Sequence, residues 1–274
     1  MLALISGRGR LPEILAEHLD HSGEPFSIFE LAGFEADNPK GREISGFAIE
    51  QLGSFLDQLV QAGFTQVCFA GAIRRPPIDR TKIDAATRPL IERIQKAVGS
   101  GDDAALRVVA GLFAERGLEM RAAQDIAPSL LPTAGVETQA KPAPNHDVDI
   151  ERAQNVIRAC GALDLGQACV VSGGQVLAIE ALPGTNFMLQ SLAKTGPRSA
   201  IMLPKGGVLY KDMKPDQDHR FDMPTIGVKS VEMAHAAGLE GIVIGAGQVL
   251  VLDFPEVIDA CNDTGLFLWV RATD

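Results

Sequence analysis

Apolar and polar positions along the first half of the chain fall into two alternating rhythms. Short apolar runs at Leu2–Ser6, Phe26–Leu31, Gln66–Ala70 and Leu118–Ala122 read as strands. Between them, apolar residues recur at helical spacing over Leu11–His21, Leu52–Ala62, Pro89–Val98 and Asp102–Arg116. Strands alternating with helices predict a Rossmann-like α/β domain. From Pro128 to Asn145 the periodicity fades, and Pro128, Pro132, Pro142 and Pro144 interrupt it. That stretch reads as a linker or a long functional loop.

Beyond it, Val148–Ala159 has the pattern of an amphipathic helix. Ala168–Val171 and Val176–Glu180 flank Ser172-Gly173-Gly174-Gln175, a hairpin signal. Further strands are expected at Ala200–Leu203, Val208–Tyr210, Gly241–Ile244, Val249–Leu252 and Leu266–Val270, with helices at Val228–Ala237 and Glu256–Cys261. The organisation predicted is an α/β fold of two α/β domains. Residues 1–130 form the first, 131–145 a Pro-rich linker, and 146–274 the second.

Composition narrows the function classes. The 274 residues are 46% apolar and 22% charged, as in an ordinary globular protein. Only 5% are aromatic, so few platforms exist for stacking single-stranded nucleic acid. A net charge of −10 opposes long-range attraction to DNA, RNA or an anionic bilayer. One stretch runs against that balance. Lys194 to Lys229 holds seven basic and four acidic residues, net +3, which suits a small anionic ligand or a solvated loop. The four cysteines, Cys68, Cys160, Cys169 and Cys261, have no metal-ligand spacing and are expected in the core of a cytoplasmic protein. Arg8 and Arg10 follow the first apolar run too soon for a signal peptide, and no apolar run approaches the ~20 residues that span a bilayer.

Five places carry candidate chemistry. Ser6-Gly7-Arg8-Gly9-Arg10-Leu11-Pro12 sets two glycines between a strand and a helix, either as a structural turn or as a loop contacting a ligand. Pro12 stands where a dinucleotide fingerprint has its third glycine, which disfavours NAD. Gly71 to Pro77 follows a strand, and it is either a surface loop stiffened by prolines or a site where Arg74 or Arg75 clamps a phosphate. Asp102 and Asp103 open a helix, where one serves as a cap and Asp103 is left for a metal or ribose contact. Glu180 ends a strand before Gly184-Thr185-Asn186; it is a candidate metal ligand or base, or a solvent-facing strand residue, and Thr185 is a candidate helix cap.

The densest signal is Lys211-Asp212-Met213-Lys214-Pro215-Asp216-Gln217-Asp218-His219-Arg220-Phe221-Asp222-Met223-Pro224. In an extended conformation Asp218, Arg220 and Asp222 would share one face, and the other reading of an Asp-rich stretch before a proline is a simple turn. Two carboxylates suit Mg²⁺, and Arg220, Lys211 and Lys214 suit phosphate oxygens. Pyrophosphate hydrolysis needs that mixture of cation, fixed donors and positioned water. His219 lies beside the cluster, and the other histidines show no metal-ligand spacing.

These motifs, taken in order, resemble the LpxI family of UDP-2,3-diacylglucosamine pyrophosphatases. The first domain is carried by the glycine turn with Leu11-Pro12, by Phe69-Ala70-Gly71 with Arg75-Pro76, and by Gly101-Asp102-Asp103 with Leu106-Arg107. The second is carried by Leu163-Asp164-Leu165-Gly166-Gln167, Glu180-Ala181, Gly184-Thr185 and, most specifically, Lys214-Pro215 through Asp222 and Ile226-Gly227. The resemblance implies Mg²⁺-dependent cleavage to UMP and diacylglucosamine 1-phosphate, with Asp222 at the position of the family's essential aspartate. It also implies a lipid chamber between the two domains, a homodimer, and no more than transient contact with the inner membrane. Asn186 stands where the family pattern has an aspartate, which moves the metal-binding burden to Asp222 and Asp218.

The expected site therefore has Asp222, Asp218, Arg220 and Lys214 as catalytic residues, with Asp222, Asp218 and Glu180 for Mg²⁺. Gly7, Gly9, Gly71, Arg75, Asp103, Thr185 and Lys211 are expected to bind substrate. Two other readings are a nucleotide-sugar transferase acting on a soluble substrate and a non-catalytic carrier of acylated sugar phosphates.

Overall fold

A computed structural model describes residues 1–73, 77–98, 102–194, 204, 206–215, 217–220 and 223–272, apart from the side chains at 97–98 and 102–104. Packing divides the chain into two units, residues 1–128 with 218–222, and residues 129–217 with 223–274.

The first unit is built on β1 (Leu2–Ser6), α1 (Leu11–Ser22), β2 (Phe26–Leu31), β3 (Ile44–Phe47), α2 (Leu52–Gln61), β4 (Gln66–Ala70), α3 (Arg88–Val98), α4 (Asp102–Ala114), β5 (Glu119–Met120) and α5 (Ala123–Ile126). Its sheet has the order β3-β2-β1-β4-β5, and every pair is parallel. β1 is buried along its whole length, as a central parallel strand covered on both faces should be. Ala3 and Ile5 join Leu56, Leu59, Leu90, Ile94, Leu112 and Phe113 in one core. Each such aliphatic side chain contributes about 1.5–3 kcal/mol by leaving water. Pro12 sits in the first turn of α1, where its missing N–H is no loss, and Gly23 ends the helix with a left-handed φ of 69°.

The second unit contains α6 (Asn145–Gly161), β6 (Ala168–Ser172), β7 (Gln175–Ile179), α7 (Thr185–Lys194), β8 (Val208–Lys211), β9 (Thr225–Ile226), α8 (Val228–Ala236), β10 (Gly241–Gly245), β11 (Leu250–Val251), α9 (Phe254–Thr264) and β12 (Phe267–Arg271). Its main sheet runs β12-β10-β8-β6-β7. β8, β10 and β12 are parallel, whereas β6 is antiparallel to both neighbours. β9 and β11 make a small parallel pair. One face of the main sheet packs on α7, α8 and α9 through Leu189, Val231 and Val257. The other packs on α6 through Ile150, Ala153 and Ile157.

Several expectations change. Leu118–Ala122 yields only a two-residue strand and then turns into a helix. The edge strand β3 escaped the periodicity because Ser45 and Gly46 dilute its apolar pattern. The segment read as a linker is partly docked on its own unit. Gly135 pairs with Val270, and the fully buried Thr138 accepts from Leu268 N through its hydroxyl at 3.1 Å. The expected strand Ala200–Leu203 lies outside the described residues. All four cysteines are free and buried, and burial raises the Cys68 and Cys169 thiols to about 12. Among the described residues no helix is long and apolar enough to cross a membrane.

Candidate active site

In the first unit the two glycine loops meet each other. Gly7 N donates to Ala70 O, Arg8 N to Ala72 O at 3.1 Å, and Ala72 N returns a bond to Arg8 O at 2.9 Å. A Cβ on Gly7 would lie 2.6 Å from Ala72 O, and one on Gly71 would lie 2.7 Å from Arg8 O. Gly71 also has a φ of +85°, so two separate constraints keep it a glycine. These glycines are explained by backbone meeting backbone at the carboxyl ends of β1 and β4. Gly9 differs, since its added Cβ would meet nothing within 4 Å. Its N–H donates to Asp37 Oδ2 at 2.8 Å. Ser6 Oγ, at the end of β1, is buried with no hydrogen-bond partner among the described residues. Arg75 and the Asp103 side chain lie outside what is described.

Asp218 and Arg220 belong to the first unit and do meet, though not as neighbours on a strand. The chain turns at 219–220, which overturns the extended reading of this segment. Asp218 Oδ1 accepts from Arg220 N and from Nε, both at 2.9 Å, and Oδ2 accepts from Nη2 at 2.6 Å. The physical reason is local, because an aspartate that captures the backbone N–H two residues on closes a turn of its own. The Arg220 guanidinium, ahead of opposing burial, lowers the Asp218 carboxyl below its ordinary value, with Arg107 adding to the effect. Gln124 Nε2 holds the turn by donating to His219 O at 3.0 Å. Asp222 is outside the described residues.

In the second unit Glu180, Thr185 and Lys211 form one chain of bonds. Thr185 Oγ1, at the start of α7, donates to Glu180 Oε1 at 2.6 Å and accepts from Lys211 Nζ at 3.0 Å. Lys211 Nζ also donates to Thr225 O at 3.2 Å. The other Glu180 oxygen accepts from Gln167 N at 2.8 Å. Glu180 is thus engaged in the structure through both oxygens, and α7 starts at Thr185 because that hydroxyl ties it to the end of β7. Lys211 is buried at the carboxyl end of β8, where its charge is held by neutral oxygens linked to a carboxylate.

Lys214 pairs with a residue to which the sequence assigned no role. Its Nζ lies 2.5 Å from Asp164 Oδ1, with the Lys214 side chain only 11% exposed. Asp164 occupies the turn that ends α6. Leu165 N donates to Cys160 O and Asp164 N to Gly161 O, the bond pattern of a helix ended by a left-handed residue. That residue is ordinarily glycine, yet here it is Asp164 with φ 51°. The conformation costs a non-glycine residue about 1–2 kcal/mol. The available signal was an aspartate just past a helix end where glycine is the cheap choice.

Residues 161–167 touch the other charged groups as well. Gly161 lies against Pro215, with only 2.5 Å from its would-be Cβ to Pro215 Cδ. Gly166 N donates to Glu180 O, and Gln167 O accepts from Asp212 N. Asp212 was counted only as charge in the sequence. It accepts from Tyr210 Oη at 2.6 Å and from Met213 N at 2.9 Å. Burial raises the Asp212 carboxyl, partly offset by those two bonds.

For Mg²⁺, Asp218 and Glu180 are both oxygen donors of the kind a cation that takes one or two carboxylates accepts. Each is engaged through both oxygens, so a metal would compete with Arg220 at Asp218 and with Gln167 and Thr185 at Glu180. Among the described residues no three His, Cys, Asp or Glu side chains cluster as metal ligands do.

Comparison with known proteins covers both units. The LpxI N-terminal domain matches residues 1–130 and the LpxI C-terminal domain matches residues 133–269. A curated relative from Caulobacter vibrioides, the UDP-2,3-diacylglucosamine pyrophosphatase LpxI, is 38% identical over 271 residues, spanning 97% of this chain and 96% of that protein. With both halves matched in order and the likeness running nearly end to end, this chain belongs to the LpxI family.

Proposed function

We propose that this protein hydrolyses the pyrophosphate of UDP-2,3-diacylglucosamine, releasing UMP and 2,3-diacylglucosamine 1-phosphate. The observation that carries the reading is the end-to-end likeness to a relative bearing that name. The second unit supports it in two ways. Lys211 and Lys214 are held in place by oxygen partners, as cations that meet phosphate oxygens should be. Apolar residues also stand in solvent on the segments that carry these groups. Leu163 is 72% exposed, Leu182 88% and Phe187 60%, alongside Leu165 and Ile179. An acylated substrate would find apolar partners in these side chains.

In this reading Lys214 and Lys211 offset phosphate charge as it develops, and Thr185 fixes the Lys211 ammonium. Arg220 holds Asp218 ionised, and Asp222 is the essential carboxylate by its place in the family motif. Asp218 and Asp222 would hold Mg²⁺, which supplies charge neutralisation for the phosphoanhydride when bound. The chain's own groups then bind and orient the pyrophosphate so that water reaches phosphorus in line.

The test is UMP release from UDP-2,3-diacylglucosamine and from UDP-GlcNAc, with and without Mg²⁺. Magnesium-dependent UMP from the acylated substrate alone is expected. Turnover of UDP-GlcNAc would favour a soluble-substrate transferase, and binding without turnover would favour a carrier.

A further inference from the structure

Asp164 sits at a position whose backbone suits glycine, and it carries the carboxylate that meets Lys214. Its φ of 51° places it in the left-handed region, and the Cys160–Leu165 and Gly161–Asp164 bonds fix it there as the residue ending α6. Glycine would satisfy that turn without steric penalty, so the helix end does not explain the aspartate. The 2.5 Å contact to Lys214 Nζ does. Backbone strain held in a packed turn and aimed at a charged partner points to a role beyond stability.

The surroundings make the contact a defined one. Lys214 starts a tight turn in which its N–H donates to Gln217 Oε1 at 3.1 Å and its carbonyl accepts from Gln217 N at 3.3 Å. Pro215 packs on Gly161 at the end of α6, where any side chain would push the turn away. The backbone of Lys214 is therefore placed by Gln217 and Gly161, and its long, flexible side chain is placed by Asp164. An ammonium has three donors, so one bond to Asp164 fixes its position and leaves it able to meet an anion.

We propose that Asp164 is a positioning residue for the pyrophosphatase reaction, a carboxylate that holds Lys214 in the geometry in which it meets a substrate phosphate oxygen. This rests on the reading of Lys214 as a phosphate-binding cation. Asp164 itself touches neither substrate nor reacting atoms in the scheme.

The decisive variant is Asp164→Gly, which suits the left-handed turn and removes only the carboxylate. Relief at the helix end is set against the lost counter-charge of the largely buried Lys214 ammonium, so the melting temperature is read beside activity to show that the variant folds. The Lys214 ammonium loses its anchor, so kcat/KM for UMP release falls roughly tenfold to hundredfold, as for loss of a hydrogen bond to a charged group. Asp164→Asn tolerates the same backbone and keeps an acceptor for Lys214, and it is expected to recover part of the loss. In the double variant Asp164→Gly/Lys214→Ala, activity should be no lower than in Lys214→Ala alone, since both changes remove one interaction. Wild-type or higher kcat/KM in Asp164→Gly overturns the proposal, as does a full additional loss on top of Lys214→Ala. Full UMP release by Lys214→Ala would instead remove the underlying reading of Lys214, a result distinguishable from a silent Asp164.

Discussion

The carboxyl ends of the two sheets make an instructive pair, because open α/β sheets collect ligands there. At the first, the loops after β1 and β4 lie backbone against backbone, with Gly7 and Gly71 present because no Cβ fits. At the second, the loop after β8 is set by side chains. Lys211 is tied through Thr185 to Glu180, and Lys214 is tied to Asp164. The same topological position is thus made of shape in one unit and of charge in the other. A glycine in such a loop is weak evidence for a ligand, whereas a buried cation with matched partners is stronger evidence. Variants can break that contrast at either end.

The largest effect is expected at the charged end. Asp222→Ala should lower UMP release about a thousandfold or more while substrate still binds, measured by kcat alongside direct binding. Near-normal turnover would detach the family's aspartate from the chemistry. Next comes the backbone end. Gly71→Ala must strain a φ of +85° and displace Arg8 O, which should destabilise the protein by about 2–4 kcal/mol in denaturant unfolding. Gly9→Ala meets no neighbour and should cost only its backbone penalty, about 1–2 kcal/mol. Equal losses would mean that loop-on-loop contact is not what selects glycine at 71.

Smaller again is the hydroxyl link. Thr185→Val deprives both Glu180 and Lys211 of a partner, and kcat/KM should drop roughly tenfold, with Thr185→Ser staying near wild type. A valine variant with unchanged kinetics would reduce that chain of bonds to packing.

The smallest effect concerns acid. Asp218 is lowered in the fold by Arg220, so its stabilisation is present above the ordinary aspartate value of 3.8 and is lost as pH falls from there through the depressed folded value. Because Arg220 is exposed and Asp218 only partly buried, solvent screening keeps the effect small. Thermal unfolding followed into acid should lose a little stability in the wild type. Asp218→Asn should show a flatter acid limb, and identical profiles would mean that the turn holds without its charge.

Periodicity carried most of the fold. β1, β2 and β4 and the helices beside them were legible because apolar residues crowd the strands and recur on one side of the helices. The hairpin of β6 and β7 was legible from Gly173 and Gly174, both of which adopt positive φ. What periodicity lacked was any trace of bonds made across distance. Thr138 looked like part of a linker until Leu268 used its hydroxyl, and Asp218 looked like one side of a strand until its own turn claimed Arg220.

The amino-acid sequence alone determined the class of fold, the family, and which charged residues gather in the Lys211–Asp222 stretch, since spacing and residue type are local properties. Tertiary structure alone decided the partners. It joined Lys214 to Asp164 across fifty residues, took up both Glu180 oxygens, and made Gly7 and Gly71 answer to each other. Distance along the chain says nothing about which donor and acceptor will share a buried bond. Only packing brings them close enough for one carboxylate to fix one cation.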